Sequence, residues 1–307
     1  MSLSVDAMRT RAKRFEAGWP ALIISVLILC AGSTVAKEAR TPGLTLACVR
    51  SLIAGTLWQV IMLFRRRHIT WKGFKAALLP GITFGGNIAC FFTAVRHVPV
   101  AKAEFIGAMG PLVVVPAGAL IYRERIPWRA LIWGVPAISG VAIVALLSAK
   151  SKGEANGFGI VMSVASVFTW ATYLMLAKKF RPGVDIAEFM GCASLAAAAV
   201  LLPFSIVRDG FVTAVPAGGW PWLIVLAVSN GVVGHTLILV AQKHLALGTI
   251  STMQTAQPGL AAGAAWLILG ETIRPVQLIG MAMVIGSLIC YSLTVQRNAF
   301  PWQAPRR

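Results

Sequence analysis

Six hydrogen-bonding or ionisable side chains stand in stretches otherwise too apolar to hold them cheaply: Arg50, Asn87, Glu104, His235, Gln254 and Gln257. In a hydrocarbon setting each is costly, so each is a candidate for contact with a solute. Arg50 has two readings: it faces a cavity and holds an anionic group or an acidic neighbour, or it snorkels outward to headgroups. Glu104 lies at a similar depth and either pairs with Arg50, binds a proton, or is a surface carboxylate beside Lys102. His235, with Asn230 five residues before it, either meets a solute or a proton or is a hydrogen-bonded packing residue. Asn87 is a cavity group or interhelical glue. Gln254 and Gln257 are three residues apart and project from nearly one helical face, so two amides can converge on a polar, zwitterionic solute or serve helix packing. Trp170 and Tyr173 offer aromatic faces to a solute or to the core, and Pro111 and Pro258 each remove a helical hydrogen bond and read as hinges or static bends.

No catalytic set accompanies these residues. The sequence has no Gly-rich phosphate loop, no HExxH and no Ser/His/Asp group that can be placed together, so enzyme activity is not expected and no cofactor is implied. The five cysteines, Cys30, Cys48, Cys90, Cys192 and Cys290, sit inside apolar runs without metal-ligand spacing and read as core residues; no metal site is expected.

The elements that position these groups follow from composition. Of 307 residues 57% are hydrophobic and 12% charged, and the mean hydropathy is +0.77. A chain of this length cannot hide so much apolar surface in one water-soluble core, and disorder and nucleic-acid binding are excluded together. Apolar runs near the ~20 residues that cross a bilayer recur at residues 19–36, 44–64, 76–95, 99–121, 130–148, 157–177, 187–207, 221–241, 248–269 and 276–294. They lack the alternation of a barrel strand, which predicts an all-α polytopic membrane protein of ten transmembrane helices. The first run follows Arg9, Arg11, Lys13 and Arg14 and precedes a weak cleavage-like Thr34-Val35-Ala36, but it is longer than a signal-peptide core and reads as a retained span.

The net charge of +18 belongs to the loops. With the N-terminus inside, inner segments carry 19 Lys and Arg and outer segments 8, with Arg50 inside a span. The positive-inside rule then places both termini in the cytoplasm, and the protein in the cell (inner) membrane. The chain also repeats itself. Residues 91–126 align without a gap on 238–273 at an offset of 147, superposing His97 on His244, Pro111 on Pro258, Glu124 on Glu271 and Ile126 on Ile273. A one-residue slip then pairs Gly134 and Gly140 with Gly280 and Gly286. The division is a basic tail over 1–18, five-helix repeats over 19–148 and 157–294, and a tail over 295–307. Five is odd, so the repeats are inverted, and inverted halves can exchange conformations around one central site.

The order Pro111, Glu124, Gly134, Gly140, repeated as Pro258, Glu271, Gly280, Gly286, resembles the drug/metabolite transporter superfamily, in its EamA-like ten-helix branch. The Ala-Gly-Ser-Thr-Val-Ala-Lys run ending at Lys37, Arg50, and Trp170-Ala171-Thr172-Tyr173 resemble that branch too. Where the family often has Trp-Gly in the first span this chain has Ala31-Gly32, and the first span lacks the glutamate that small multidrug resistance relatives use for proton exchange. The resemblance implies a secondary transporter that moves an amino acid or related metabolite, by export, with alternating access. A channel or sensor built on the same repeat is the second reading, and an intramembrane enzyme the third. The partners implied are a small-molecule substrate and the lipid bilayer, with no nucleic acid; a monomer and a homodimer both fit the pattern. The site is expected between the fourth and ninth helices, with Asn87, His235, Gln254 and Gln257 on its wall.

Overall fold

Backbone groups in lipid must be satisfied within the chain, and apolar runs of this length do so as helices. The computed structural model describes residues 5–98, 100–124, 127–147, 157–269 and 275–299, and every regular element among them is helical. The first span is α1 (Val5–Cys30) with α2 (Gly32–Glu38), the second α3 (Gly43–Phe64), the third α4 (Trp71–His97). The fourth is α5 (Val100–Gly107) with α6 (Pro111–Tyr122), and the fifth α7 (Trp128–Leu131) with α8 (Gly134–Leu147). The sixth is α9 (Gly157–Phe180), and the seventh α10 (Ile186–Phe204) continued by a π-turn over Ser205–Asp209. The eighth is α11 (Trp220–Leu226), a π-helical segment over Ala227–Gly234, and α12 (His235–Gln242). The ninth is α13 (Leu247–Gln254) with α14 (Gln257–Leu269), and the tenth α15 (Pro275–Ala299). Eight of these segments are long and apolar enough to cross a membrane unaided, and the fifth is a shorter apolar helix over Trp128–Ile143. The basic tail expected to end at residue 18 is helical from Val5 onward.

The most extensive helix contacts run across the two halves, and the second and third spans also pack on each other within the first half. The third span packs on the sixth as the eighth packs on the first; the second packs on the seventh, and the fifth on the tenth. Each of those relations maps onto itself, or onto its counterpart, when the halves are exchanged. That is the signature of two equivalent five-helix units interlocked about a pseudo-two-fold axis.

Close crossing of the central helices depends on small residues, because helices in lipid gain most from backbone approach. A carbon added at Gly81 would lie 2.6 Å from the Ala193 carbonyl oxygen, and one at Gly85 would lie 3.0 Å from the Ala197 Cα. Gly81 and Gly85 sit one turn apart on α4 and meet Ala193 and Ala197, one turn apart on α10. Any larger residue there would force the two helices apart.

The fourth and ninth spans are broken, and at matching places. α5 gives way to α6 through Ala108–Gly110, where the Met109 and Gly110 amides reach back three residues instead of four. α13 gives way to α14 through Thr255–Ala256, with the same three-residue return from Thr255 and Ala256. Pro111 opens α6 and Pro258 is the second residue of α14, so each proline sits where its missing N–H has no helical partner to lose. The expected kinks are therefore tight three-residue turns through which the backbone stays right-handed helical. Pro20, Pro80, Pro116 and Pro203 lie inside helices.

Candidate functional site

A cavity of about 120 Å³ lies where the two broken spans meet the third, sixth and eighth. That is room for about four waters at their liquid volume. Seven of the residues singled out from sequence line it: Arg50, Asn87, Glu104, Trp170, His235, Gln254 and Gln257. Tyr173 does not. It lies behind Trp170, fully buried, its ring 4.9 Å from that of Phe84 and its hydroxyl 3.7 Å from the Met190 sulfur. Pro111 and Pro258 sit beside the cavity as parts of the two breaks.

Arg50 enters from α3 and is 1% exposed, so its charge does not reach headgroups. The guanidinium carbon lies 5.8 Å from the ring centres of both Phe84 and Phe92. Its Nε has no hydrogen-bond partner. Among the described residues the ion pairs are Arg67–Asp185 and Lys178–Glu124, so Arg50 and Glu104 share a cavity without pairing. Of the readings open to Arg50, the pair with Glu104 is thus not formed among the described residues, and neither is the reach to headgroups. Aromatic faces stabilise a desolvated guanidinium by about 2 kcal/mol, well short of what a partnerless buried charge costs. The site holds a cation that calls for an anion.

Glu104 is buried rather than beside Lys102, which is exposed; it sits next to the Ser33 hydroxyl, itself buried without a geometric partner. On the opposite wall the Trp170 indole donates to Gln254 Oε1 at 3.1 Å, which turns the Gln254 amide nitrogen free for another acceptor. Asn87 donates to the Ser166 carbonyl oxygen at 2.9 Å, so one end of its amide does hold helices together while the residue still lines the cavity. His235 packs edge-on to Phe84 at 4.8 Å and lies 5.6 Å from Trp170, with Nδ1 unpartnered.

The cavity wall carries the pseudo-symmetry of the fold. At the repeat offset, Ile88 corresponds to His235, Glu104 to Ser251, Gly107 to Gln254 and Gly110 to Gln257, and all eight line it. Sequence reasoning did not single out Ser33, Ser166 or Ser251 as wall residues, and it named Asn230 only as a neighbour of His235. Ser251 was readable as the repeat partner of Glu104. Asn230 enters through the π-helical segment Ala227–Gly234, whose extra residue rotates the turn; such bulges gather at functional sites but leave no mark in hydropathy. A carbon added at Gly32 would lie 2.0 Å from the Asn230 amide nitrogen, so this amide packs directly against the first span and would have to shift for any larger residue there.

Below the cavity, at the end of the bundle that carries Lys178, Glu124 joins three spans. It is ion-paired with Lys178 of α9, and it accepts the Leu247 and Gly248 amides at the start of α13, at 3.0 and 3.3 Å. Tyr122 adds a 2.6 Å hydrogen bond to the Met175 carbonyl oxygen. The fourth, sixth and ninth spans are thereby clamped together at one mouth of the pathway. Glu271, the repeat partner of Glu124, lies outside the described residues.

The profile of the EamA-like transporter family matches residues 17–146 and again 157–293. The threonine/homoserine exporter RhtA of Escherichia coli (strain K12) is 24% identical over 292 residues, covering 91% of this chain and 92% of that protein. The pseudopaline exporter CntI of Pseudomonas aeruginosa (strain PAO1) is 23% identical over 266 residues, or 85% of this chain and 91% of that one. A probable terminal-alkyne amino-acid exporter of Streptantibioticus cattleyicolor is 25% identical over 195 residues, 63% of this chain and 64% of its own. A crystal structure of another protein superposes with a TM-score of 0.74 at 17% identity, over 93% of this chain and 98% of that one, and so shares the fold.

Proposed function

The chain belongs to the EamA-like transporter family, and from that premise we propose that it exports an amino acid or a related zwitterion across the cell membrane by alternating access. The single observation that carries the reading is Arg50: a buried guanidinium, without an acidic partner among the described residues, facing a cavity at the break of two helices. A carboxylate supplies the missing anion. Glu104, in the same cavity, supplies a counter-charge for an ammonium group. Gln254 and Gln257 then satisfy the remaining polar atoms, and the aromatic rings of Trp170 and Phe92 exclude water. Two charged side chains of opposite sign suit a zwitterion better than a polyphosphate, which needs several cations. The names of the relatives, exporters of threonine and homoserine, of pseudopaline and of an alkyne amino acid, point to the same class.

In this reading the repeats over 19–148 and 157–294 rock about the cavity, with Pro111 and Pro258 as hinges, and the Glu124 clamp closes the cytoplasmic mouth. A closed clamp on one side favours a carrier over a channel. The test is counterflow in proteoliposomes: L-amino acids trapped inside should drive uptake of label against its gradient. Ohmic conductance without saturation or counterflow would mean a channel.

Two further results are expected. Reporter fusions after Arg67, Arg129 and Lys179 should report the cytoplasm and those after Lys152 or Arg208 the outside; a C-terminus outside would contradict ten spans and inverted repeats. Trp170→Phe keeps the ring and removes the N–H that orients Gln254, so it should raise the apparent KM about three- to tenfold. Gln254→Ala should do the same, and the double variant should be no worse than the poorer single. Fully additive losses would show that the indole and the amide act apart.

A further inference from the structure

The two repeats meet the cavity with different residues at three corresponding positions. The second-repeat wall presents His235, Gln254 and Gln257; the first-repeat wall has Ile88, Gly107 and Gly110 at the same positions. At these three positions hydrogen-bonding side chains come from the second repeat only, while Arg50, Asn87 and Glu104 of the first repeat line the cavity elsewhere. The first repeat leaves an apolar residue and two positions with no side chain there. A carbon added at Gly107 has no atom within 4 Å, so this residue borders open space. A carbon added at Gly110 would lie 3.3 Å from the Ser251 oxygen, so Gly110 marks the narrow place between the walls.

We infer that the solute, with its carboxylate at Arg50 and its ammonium at Glu104, lays its side chain against Gly107 and Gly110, and that these glycines limit transport to amino acids with small side chains. The inference rests on the amino-acid reading of the cavity. Neither glycine has a left-handed backbone that would require it for conformational reasons. Gly107 in particular has no neighbour to demand smallness, so the space it leaves is for something else. At the equivalent position the second repeat fills that space with Gln254, whose amide reaches across to Trp170. One methyl group in a close-fitting pocket is worth roughly a tenfold discrimination, so an alanine at 107 should act as a size filter set one carbon tighter.

The experiment is inhibition of labelled L-alanine counterflow by unlabelled serine, threonine and leucine, in reconstituted wild type, Gly107→Ala and Gly110→Ala. Wild type should be inhibited well by serine and threonine and poorly by leucine. Gly107→Ala should weaken threonine about tenfold while leaving serine within twofold, because the two differ by the one methyl the new side chain displaces. Gly110→Ala, with tighter surroundings, provides a second variant with the same expected order. Gly218→Ala, at another glycine with open space but outside the cavity, should change neither. The inference is overturned if leucine inhibits wild type as well as serine does, or if the 107 and 110 variants weaken serine and threonine equally. Absence of alanine counterflow in wild type, with no other amino acid restoring it, overturns the amino-acid reading itself, and is distinguishable because the variants are not needed to see it.

Discussion

Replacing Arg50 with Met should abolish transport and make the protein more stable. The side chain is 1% exposed, has no carboxylate partner among the described residues and rests between two phenylalanine rings. Removing a partnerless buried charge relieves a desolvation cost, and Met fills much of the same volume, so the thermal midpoint in detergent should rise. Transport should fall at least about 100-fold, since a charge-assisted hydrogen-bonded pair with the solute carboxylate is lost. Arg50→Lys keeps the charge as a single point without the planar fork and should retain part of the activity. A structural arginine would behave the other way, with loss of stability and activity together. Purified variants compared by thermal unfolding and counterflow separate the two.

The second large effect is expected at Glu124. Its carboxylate accepts two amides at the start of α13 and pairs with Lys178, so one side chain ties together the fourth, sixth and ninth spans. The side chain is 8% exposed. Glu124→Ala strands a partly buried ammonium and two helix-terminal donors, and should destabilise by about 3 kcal/mol. Lys178→Ala leaves Glu124 its two amides and a favourable place at the helix N-terminus, so about 1 kcal/mol is expected. Thermal unfolding of both single variants and the double gives the coupling. Equal losses for the two singles would remove Glu124 as the hub of the clamp.

The spans were legible because a bilayer sets the length of an apolar run, and ten such runs recur. Their partners were not. In lipid the membrane-facing and protein-facing sides of a helix are both apolar, so the third span does not announce that it packs on the sixth. The breaks at 108–110 and 255–256 were half legible: Pro111 and Pro258 mark them, but proline alone does not tell a bend from a three-residue turn. Depth along a helix was readable and rotation about it was not, and the readings left open in the site follow from that. Arg50 and Glu104 share a cavity yet form no ion pair among the described residues. Tyr173, one turn from Trp170 on α9, falls behind it against Phe84 and Met190. The insertion that brings in Asn230 is a backbone event with no compositional trace. Gln254 and Gln257 were legible from their shared helical face, and correspondence between the repeats pairs them, with Ser251, to Gly107, Gly110 and Glu104 on the same cavity wall.

The central claim is that the cavity binds a carboxylate at Arg50. Equilibrium binding of L-alanine and of L-alanine methyl ester to the purified protein tests it most directly, because the ester keeps the ammonium and side chain and removes only the negative charge. L-Alanine should bind and the ester should bind about 100-fold more weakly, with the difference gone in Arg50→Met. Equal binding of acid and ester to the wild-type protein would contradict it.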